Sequence, residues 1–107
     1  MSNESLKGHL DALILAAIEH QPAHGYAIIE RLRARSAGAF DLQEGTIYPA
    51  LHRLERLGLL ESDWSIEAGR KRRVYSVTTT GHKSLAKQRQ EWRTFSKGVD
   101  AVLQGAL

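Results

Sequence analysis

The chain has no cysteine among its 107 residues, which excludes a disulfide framework and thiolate metal sites. Long apolar runs are missing as well. The longest, Ala12 to Ile18, is far shorter than the ~20 residues a membrane-spanning helix needs. Met1 to Ser5 lacks the basic start and apolar core of a signal peptide, so a cytoplasmic location is expected. The five histidines (His9, His20, His24, His52 and His82) are scattered, with no pair at metal-binding spacing on one helix. There is no nucleophile elbow, no catalytic pair of carboxylates and no glycine-rich phosphate loop. Nothing in these residue types supports an enzyme, and neither a metal nor a cofactor is expected.

What is present is an uneven distribution of charge. The net charge is only +3, but residues 1–68 carry six Lys/Arg against ten Asp/Glu, whereas residues 69–107 carry nine against two. Such asymmetry suits one face built for a polyanion. A chain of this length forms one domain with a modest core, and many such domains gain stability by pairing with a second copy.

The hydrophobic pattern is mostly helical. Leu6, Leu10, Leu13, Ile14, Ala17 and Ile18 recur at three- and four-residue spacing, which predicts a first helix over 5–20 that ends at Gln21-Pro22. A second helix is expected from His24-Gly25-Tyr26 to about Ser36. Its inward side carries Tyr26, Ile28 or Ile29, and Leu32, while Arg31, Arg33 and Arg35 point outward. A third helix is expected from Asp41 to Gly58. Asp41 and Glu44 have the spacing of a capping box, and Pro49 predicts a local bend. Ile47, Ala50, Leu51, Leu54 and Leu57 share its apolar face. Gly45, Pro49, His52, Arg53 and Arg56 share the opposite one, with Thr46 and Tyr48 at its edges.

From Leu60 to Ile66 the period changes to two, the mark of a half-buried strand. Leu60, Ser62, Trp64 and Ile66 form its inward side. Ala68 to Lys71 then turns the chain, and Val74 to Thr78 returns as a second strand with Tyr75 and Val77 inward. Thr78 to Gly81 caps a last helix of about 25 residues. Its apolar positions Leu85, Trp92, Phe95, Val99, Val102, Leu103 and Ala106 fall at near-heptad spacing. So long a helix outruns its own domain, and its far half is expected to bury Trp92, Phe95 and Val99 against another subunit. The fold class is therefore mainly α with a small β-hairpin. Residues 1–79 form a winged helix-turn-helix, and residues 80–107 a dimerisation helix.

On this reading the third helix lies in the major groove of DNA, where base edges display a donor and acceptor code. Arg53 and Arg56 would bond guanine edges or phosphates, and Thr46, Tyr48 and His52 would contact phosphates or bases. Packing in the core is an equal alternative for Tyr48. Arg70-Lys71-Arg72-Arg73 concentrates positive charge at the hairpin tip, which suits a phosphate backbone or a narrow minor groove. Trp92 and Phe95 suit an interface core, or a site for a flat aromatic effector. Leu10, Leu85, Trp92, Phe95, Val99, Val102 and Leu103 are the candidate dimerisation residues.

Several of these stretches together resemble the PadR family of transcriptional regulators. They are His24-Gly25-Tyr26, Gly45-Thr46-Ile47-Tyr48-Pro49-Ala50-Leu51 with Arg53-Leu54-Glu55, Gly58-Leu59-Leu60, Gly69-Arg70-Lys71-Arg72 with Tyr75, and Thr78 with Gly81. The resemblance implies a winged-helix homodimer that binds a pseudo-palindromic double-stranded operator and usually represses. It also implies pairing through the last helix, packed against the first helix of the partner. Some members bind aromatic or multidrug-like effectors between subunits through a tryptophan on that helix, and Trp92 falls at the corresponding place. A homodimeric repressor released by a small aromatic effector is the function expected. A winged-helix protein-interaction module and an aromatic-ligand sensor without DNA binding are the alternatives.

Overall fold

The computed structural model describes Leu6 and residues 8–105. In chain order the elements are α1 (Leu10–Ala17), β1 (Ala23–His24), α2 (Gly25–Arg35), α3 (Glu44–Arg56), β2 (Leu60–Glu67), β3 (Arg70–Val77) and α4 (Thr79–Leu103). The three strands form one antiparallel sheet in the order β1-β3-β2. This is a winged helix-turn-helix followed by a long helix. Ser5, Ala106 and the Met1–Ser5 segment lie outside the described residues. No described helix is long and apolar enough to cross a membrane.

The core is a single cluster. Ile14 and Leu15 of α1, Ile28 of α2, Ile47, Leu51 and Leu54 of α3, Leu60 and Tyr75 of the sheet, and Leu85 of α4 are all essentially inaccessible to solvent. Burying side chains of this size contributes roughly 1.5–3 kcal/mol each, so this cluster holds the helices and the sheet as one unit. Leu42, in the α2–α3 connection, joins it.

Several boundaries differ from the sequence expectation, each for a local reason. α1 stops at Ala17 rather than at residue 20. Two of its last carbonyls are taken by arginines of α2: Arg31 Nη1 donates to Ala17 O (3.0 Å) and Arg35 Nη1 to Ala16 O (3.1 Å), while Arg31 Nη1 also donates to Gln21 O (2.7 Å) in the segment that follows α1. Arg31 and Arg35 are therefore caps for a neighbouring helix, not outward solvating charges. α3 begins at Glu44 with Gln43 as its N-cap and no side-chain capping bond, so the Asp41–Glu44 capping box does not form. The Gln43 carbonyl instead accepts from Thr46 N (3.0 Å) and Ile47 N (3.1 Å). α3 runs unbroken through Pro49. The carbonyl opposed by the ring belongs to Gly45, which is exposed and open to water. Leu57 is 60% exposed and does not join the apolar face of α3.

The tightest packing lies where the sheet meets α4. Thr78 is the N-cap of α4: its Oγ1 accepts from Gly81 N (3.0 Å) and donates to Gly58 O (2.6 Å). One hydroxyl thus joins the end of α3 to the start of α4. Gly81 is buried so closely against the chain after α3 that an added Cβ would stand 2.1 Å from Leu59 O and 2.7 Å from Val77 Cγ1. By contrast, nothing lies within 4 Å of a Cβ built on Gly98, in the free half of the helix. Gly81→Ala is expected to cost about 2 kcal/mol or more through overpacking. Gly98→Ala is expected to stabilise by roughly 0.8 kcal/mol through helix propensity. Urea unfolding of the two variants checks both signs.

Candidate nucleic-acid interface

α3 is gripped along its two edges and bare between them. On the edge toward α2, the Tyr48 ring packs over Gly25, where an added Cβ would come within 2.6 Å of Tyr48 Cζ. Tyr48 is half-buried against the core, so packing takes its ring. Glu55 lies on the same edge and is tied to the sheet. Ser62 Oγ donates to its Oε2 (2.6 Å), and Arg73 Nη2 stands 3.8 Å from the same oxygen. On the opposite edge, Arg53 is paired with Asp11 of α1. The strip between carries Gly45, Pro49, His52 and Arg56, all exposed, with Thr46 exposed beside it. Of the two arginines read as groove-binding, Arg56 is the one on the open strip, whereas Arg53 is held by a carboxylate.

Tyr26, expected in the core, is 52% exposed. Gly25 takes the buried position at the start of α2 because the Tyr48 ring leaves no room for a side chain there. The next residue, about 100° further round the helix, therefore points outward. Its phenol next to the α2 N-terminus makes Tyr26 a further candidate phosphate contact. Helical period alone did not separate it from Ile28 and Ile29, both of which are buried.

The basic run of the hairpin is not on one turn. The turn is Ala68-Gly69, with Ala68 at φ 51° and Gly69 at φ 78°, and the four cations are strand residues of β3. Strand alternation separates them. Arg70 and Arg72 pair across the ladder with Glu67 and Ser65, and Lys71 and Arg73 with Ile66 and Trp64. Arg70 and Lys71 are exposed, while Arg72 is half-buried against the α2 N-terminus. Trp64, expected inward, is 56% exposed, because the strand has passed beyond the helices that would cover it. Arg73 lies on the same face as Lys71, as a period of two dictates, and belongs with the candidate contacts.

His24 links the wing to α2. Its Nδ1 accepts from Ala27 N (3.2 Å) as the N-cap of α2, with Arg72 Nη1 3.4 Å away. Two donors aimed at Nδ1 require the neutral ring with its proton on Nε2, 3.7 Å from Glu67 Oε2. Burial, reinforced by the Arg72 charge, holds the imidazole below its ordinary value of 6.5.

The other candidate site lies along α4. Leu85 is 1% and Leu10 8% exposed within the protomer. Leu85 is thus a core residue of its own chain and offers no surface for pairing, and Leu10 offers little. Trp92, Phe95, Val99, Val102 and Leu103 are 50%, 61%, 36%, 77% and 79% exposed and form an uncovered stripe. A groove of about 570 Å³ runs between α1 and α4, lined by His9, Leu13, Ala16, Phe40, Trp92 and Phe95 among others. His9 meets Trp92 edge-on at 5.0 Å, and Phe95 stands 6.0 Å from Trp92. Beyond one end of α1, Arg89 binds the Glu19 carboxylate through both nitrogens (2.7 and 2.8 Å) and fixes α4 to that segment. This bond holds the Glu19 carboxyl below its usual range.

The Transcriptional regulator PadR-like family matches residues 14–87. The chain is 37% identical over 76 residues to the transcriptional regulator Rv3488 of Mycobacterium tuberculosis, covering 71% of this chain and 68% of that protein. Among solved structures, a PadR-like transcriptional regulator from Bacillus cereus superposes with a TM-score of 0.85 at 32% identity, covering 95% of this chain and 98% of that one. A PadR family transcription regulator from Clostridium difficile superposes at 0.79 with 34% identity, covering 89% and 98%.

Because the folded His24 sits below its ordinary value, the unfolded chain takes up a proton first as pH falls. The stability owed to neutral His24 is therefore complete above about pH 6.5 and is lost as pH drops below it. His24→Asn keeps a capping acceptor but cannot titrate. Urea midpoints at pH 7.5 and 5.5 are expected to fall more in the parent chain than in this variant.

Proposed function

Since the chain belongs to the PadR-like family of transcriptional regulators, we propose that it is a homodimeric, sequence-specific repressor that inserts α3 into the major groove of an operator. The observation that carries this reading is the bare strip of α3. A helix gripped on both edges, with His52 and Arg56 exposed between them and the cations of β3 alongside, offers side chains to base edges without unfolding anything. Arg56 reads bases or grips phosphate, and Thr46, His52 and Tyr26 take phosphates. Arg70 and Lys71 neutralise backbone charge, joined by the less exposed Arg72. Arg53 contributes once phosphate competes it away from Asp11.

Pairing follows from α4. Fully burying large apolar side chains contributes roughly 1.5–3 kcal/mol each. The stripe from Trp92 to Leu103 supplies five of them, and a second copy of the same stripe is the natural cover. The groove between α1 and α4 supports a flat aromatic effector held by Trp92, Phe95 and His9. An effector that favours a dimer with misplaced reading helices lowers operator affinity by that preference. The same groove favours, as a second reading, an aromatic-ligand sensor.

The test is fluorescence anisotropy of a labelled fragment from the promoter upstream of the protein's own gene, against scrambled DNA at two salt concentrations. The expected outcome is a preference of roughly a thousandfold or more with a steep salt slope. Arg56→Ala is expected to lower specific affinity about tenfold. Equal, weak binding to both fragments would remove the specific-regulator reading at that promoter. No binding at low salt would favour a protein-interaction module.

A further inference from the structure

The two faces of the hairpin differ in character. One carries three carboxylates of β2 (Glu61, Asp63 and Glu67), with Arg70 opposite Glu67 and Arg72 opposite Ser65. The other carries Leu60, Ser62, Trp64 and Ile66 of β2 against Val77, Tyr75, Arg73 and Lys71 of β3. At its base this second face is core: Leu60 and Tyr75 are buried. Toward the tip the covering helices end, and Trp64 and Ile66 are left 56% and 76% exposed. The Lys71 ammonium stands 4.8 Å and the Arg73 guanidinium 5.3 Å from the Trp64 ring centroid.

Two large apolar side chains side by side in water are costly unless something covers them. Charge decides what that is. The two cations that frame Trp64 suit a polyanion, whose phosphates neutralise them. On the reverse face three carboxylates outnumber Arg70 and Arg72, so a polyanion is held closer on the side of Lys71 and Arg73. The admitting face is also the one fastened to the edge of α3, through Glu55 to Ser62 and Arg73. A rod lying along the bare strip of α3 therefore meets Trp64 and not Asp63.

We propose that Trp64 and Ile66, framed by Lys71 and Arg73, are a docking strip for the sugar–phosphate backbone of duplex DNA. The apolar atoms pack on deoxyribose along the groove wall, and the two cations hold the flanking phosphates. This rests on the DNA-binding reading above and deepens it. It assigns the wing contact to one face and adds an apolar, sequence-independent component. It also exchanges Arg72, turned toward His24, for Arg73.

Trp64 and Trp92 are the only tryptophans in the chain, so 5-fluorotryptophan labelling produces two fluorine resonances, and Trp64→Phe identifies its own by loss. A random-sequence duplex is titrated at low salt, with saturation followed by the anisotropy of a dye on the DNA. The Trp64 resonance is expected to shift as the duplex saturates. Trp64→Ala is expected to weaken duplex binding about tenfold, as loss of an aromatic contact does. Ile66→Ser, at a site too exposed to matter for folding, should weaken it measurably with an unchanged melting temperature.

A Trp64 resonance that stays still at saturation, or an Ile66→Ser variant that binds like the parent, overturns the docking strip while leaving DNA binding intact. In that case the indole only stiffens the hairpin. A Trp64 resonance that moves with protein concentration before DNA is added also overturns it, in favour of a second copy on this face. Failure of the parent chain to bind any duplex removes both readings together.

Discussion

The arrangement depends on the junction where the turn after α3 meets the start of α4. Thr78 uses one hydroxyl to accept from Gly81 N and to donate to Gly58 O. Gly81 lies too close to Leu59 O for any side chain. A contact without slack leaves little freedom in the direction at which α4 departs. α4 carries the uncovered apolar stripe, and α3 carries the bare polar strip. The junction therefore sets the angle between the element proposed to pair two chains and the element proposed to read DNA.

The same economy governs α3. Its two edges are held by different parts of the chain: Asp11 of α1 on one side, and Gly25 with Ser62 and Arg73 on the other. Each holding group also belongs to a second assembly. α1 lines the groove against Trp92, and β3 carries the wing cations. A displacement of α1 by a molecule in that groove would reach Arg53 directly. This is a physical path by which an effector at α4 could alter DNA affinity without touching DNA. Each link is a packed or charge-paired contact, the kind through which coupling is carried.

The order and type of the elements were legible because their periods are clean. Spacing of three and four gave way to spacing of two at Leu60, proline stood after the first helix, and glycine stood after the second and third helices and in the hairpin turn. What sequence did not disclose was cover. Alternation correctly put Trp64 and Ile66 on the side of Leu60, but alternation names a side and says nothing of whether a helix lies over it. Helical period likewise placed Leu85 on the stripe of Trp92 and Phe95, although Leu85 is still within the reach of its own domain and is spent on its own core. Tyr26 was misassigned because the governing contact, Tyr48 over Gly25, spans more than 20 residues of sequence. Arg31 and Arg35 read as solvated charges because the carbonyls they cap belong to another helix. The candidate site was legible as a set of residue types on α3 and β3. Which of them are free and which are engaged was not, since Asp11 and His24 are distant in sequence from the arginines they meet.

In the proposed dimer, two α4 helices bury each other's stripes, and the rigid junctions present two α3 strips on one side of the assembly. The central claim is that these strips address one face of a duplex together. Hydroxyl-radical footprinting on an operator fragment tests it most directly. The account predicts two protected patches on one face of the DNA, about 34 Å apart, one helical turn. A single patch the size of one reading helix would contradict it, showing that the chain engages DNA as a monomer and that the stripe on α4 serves some other partner.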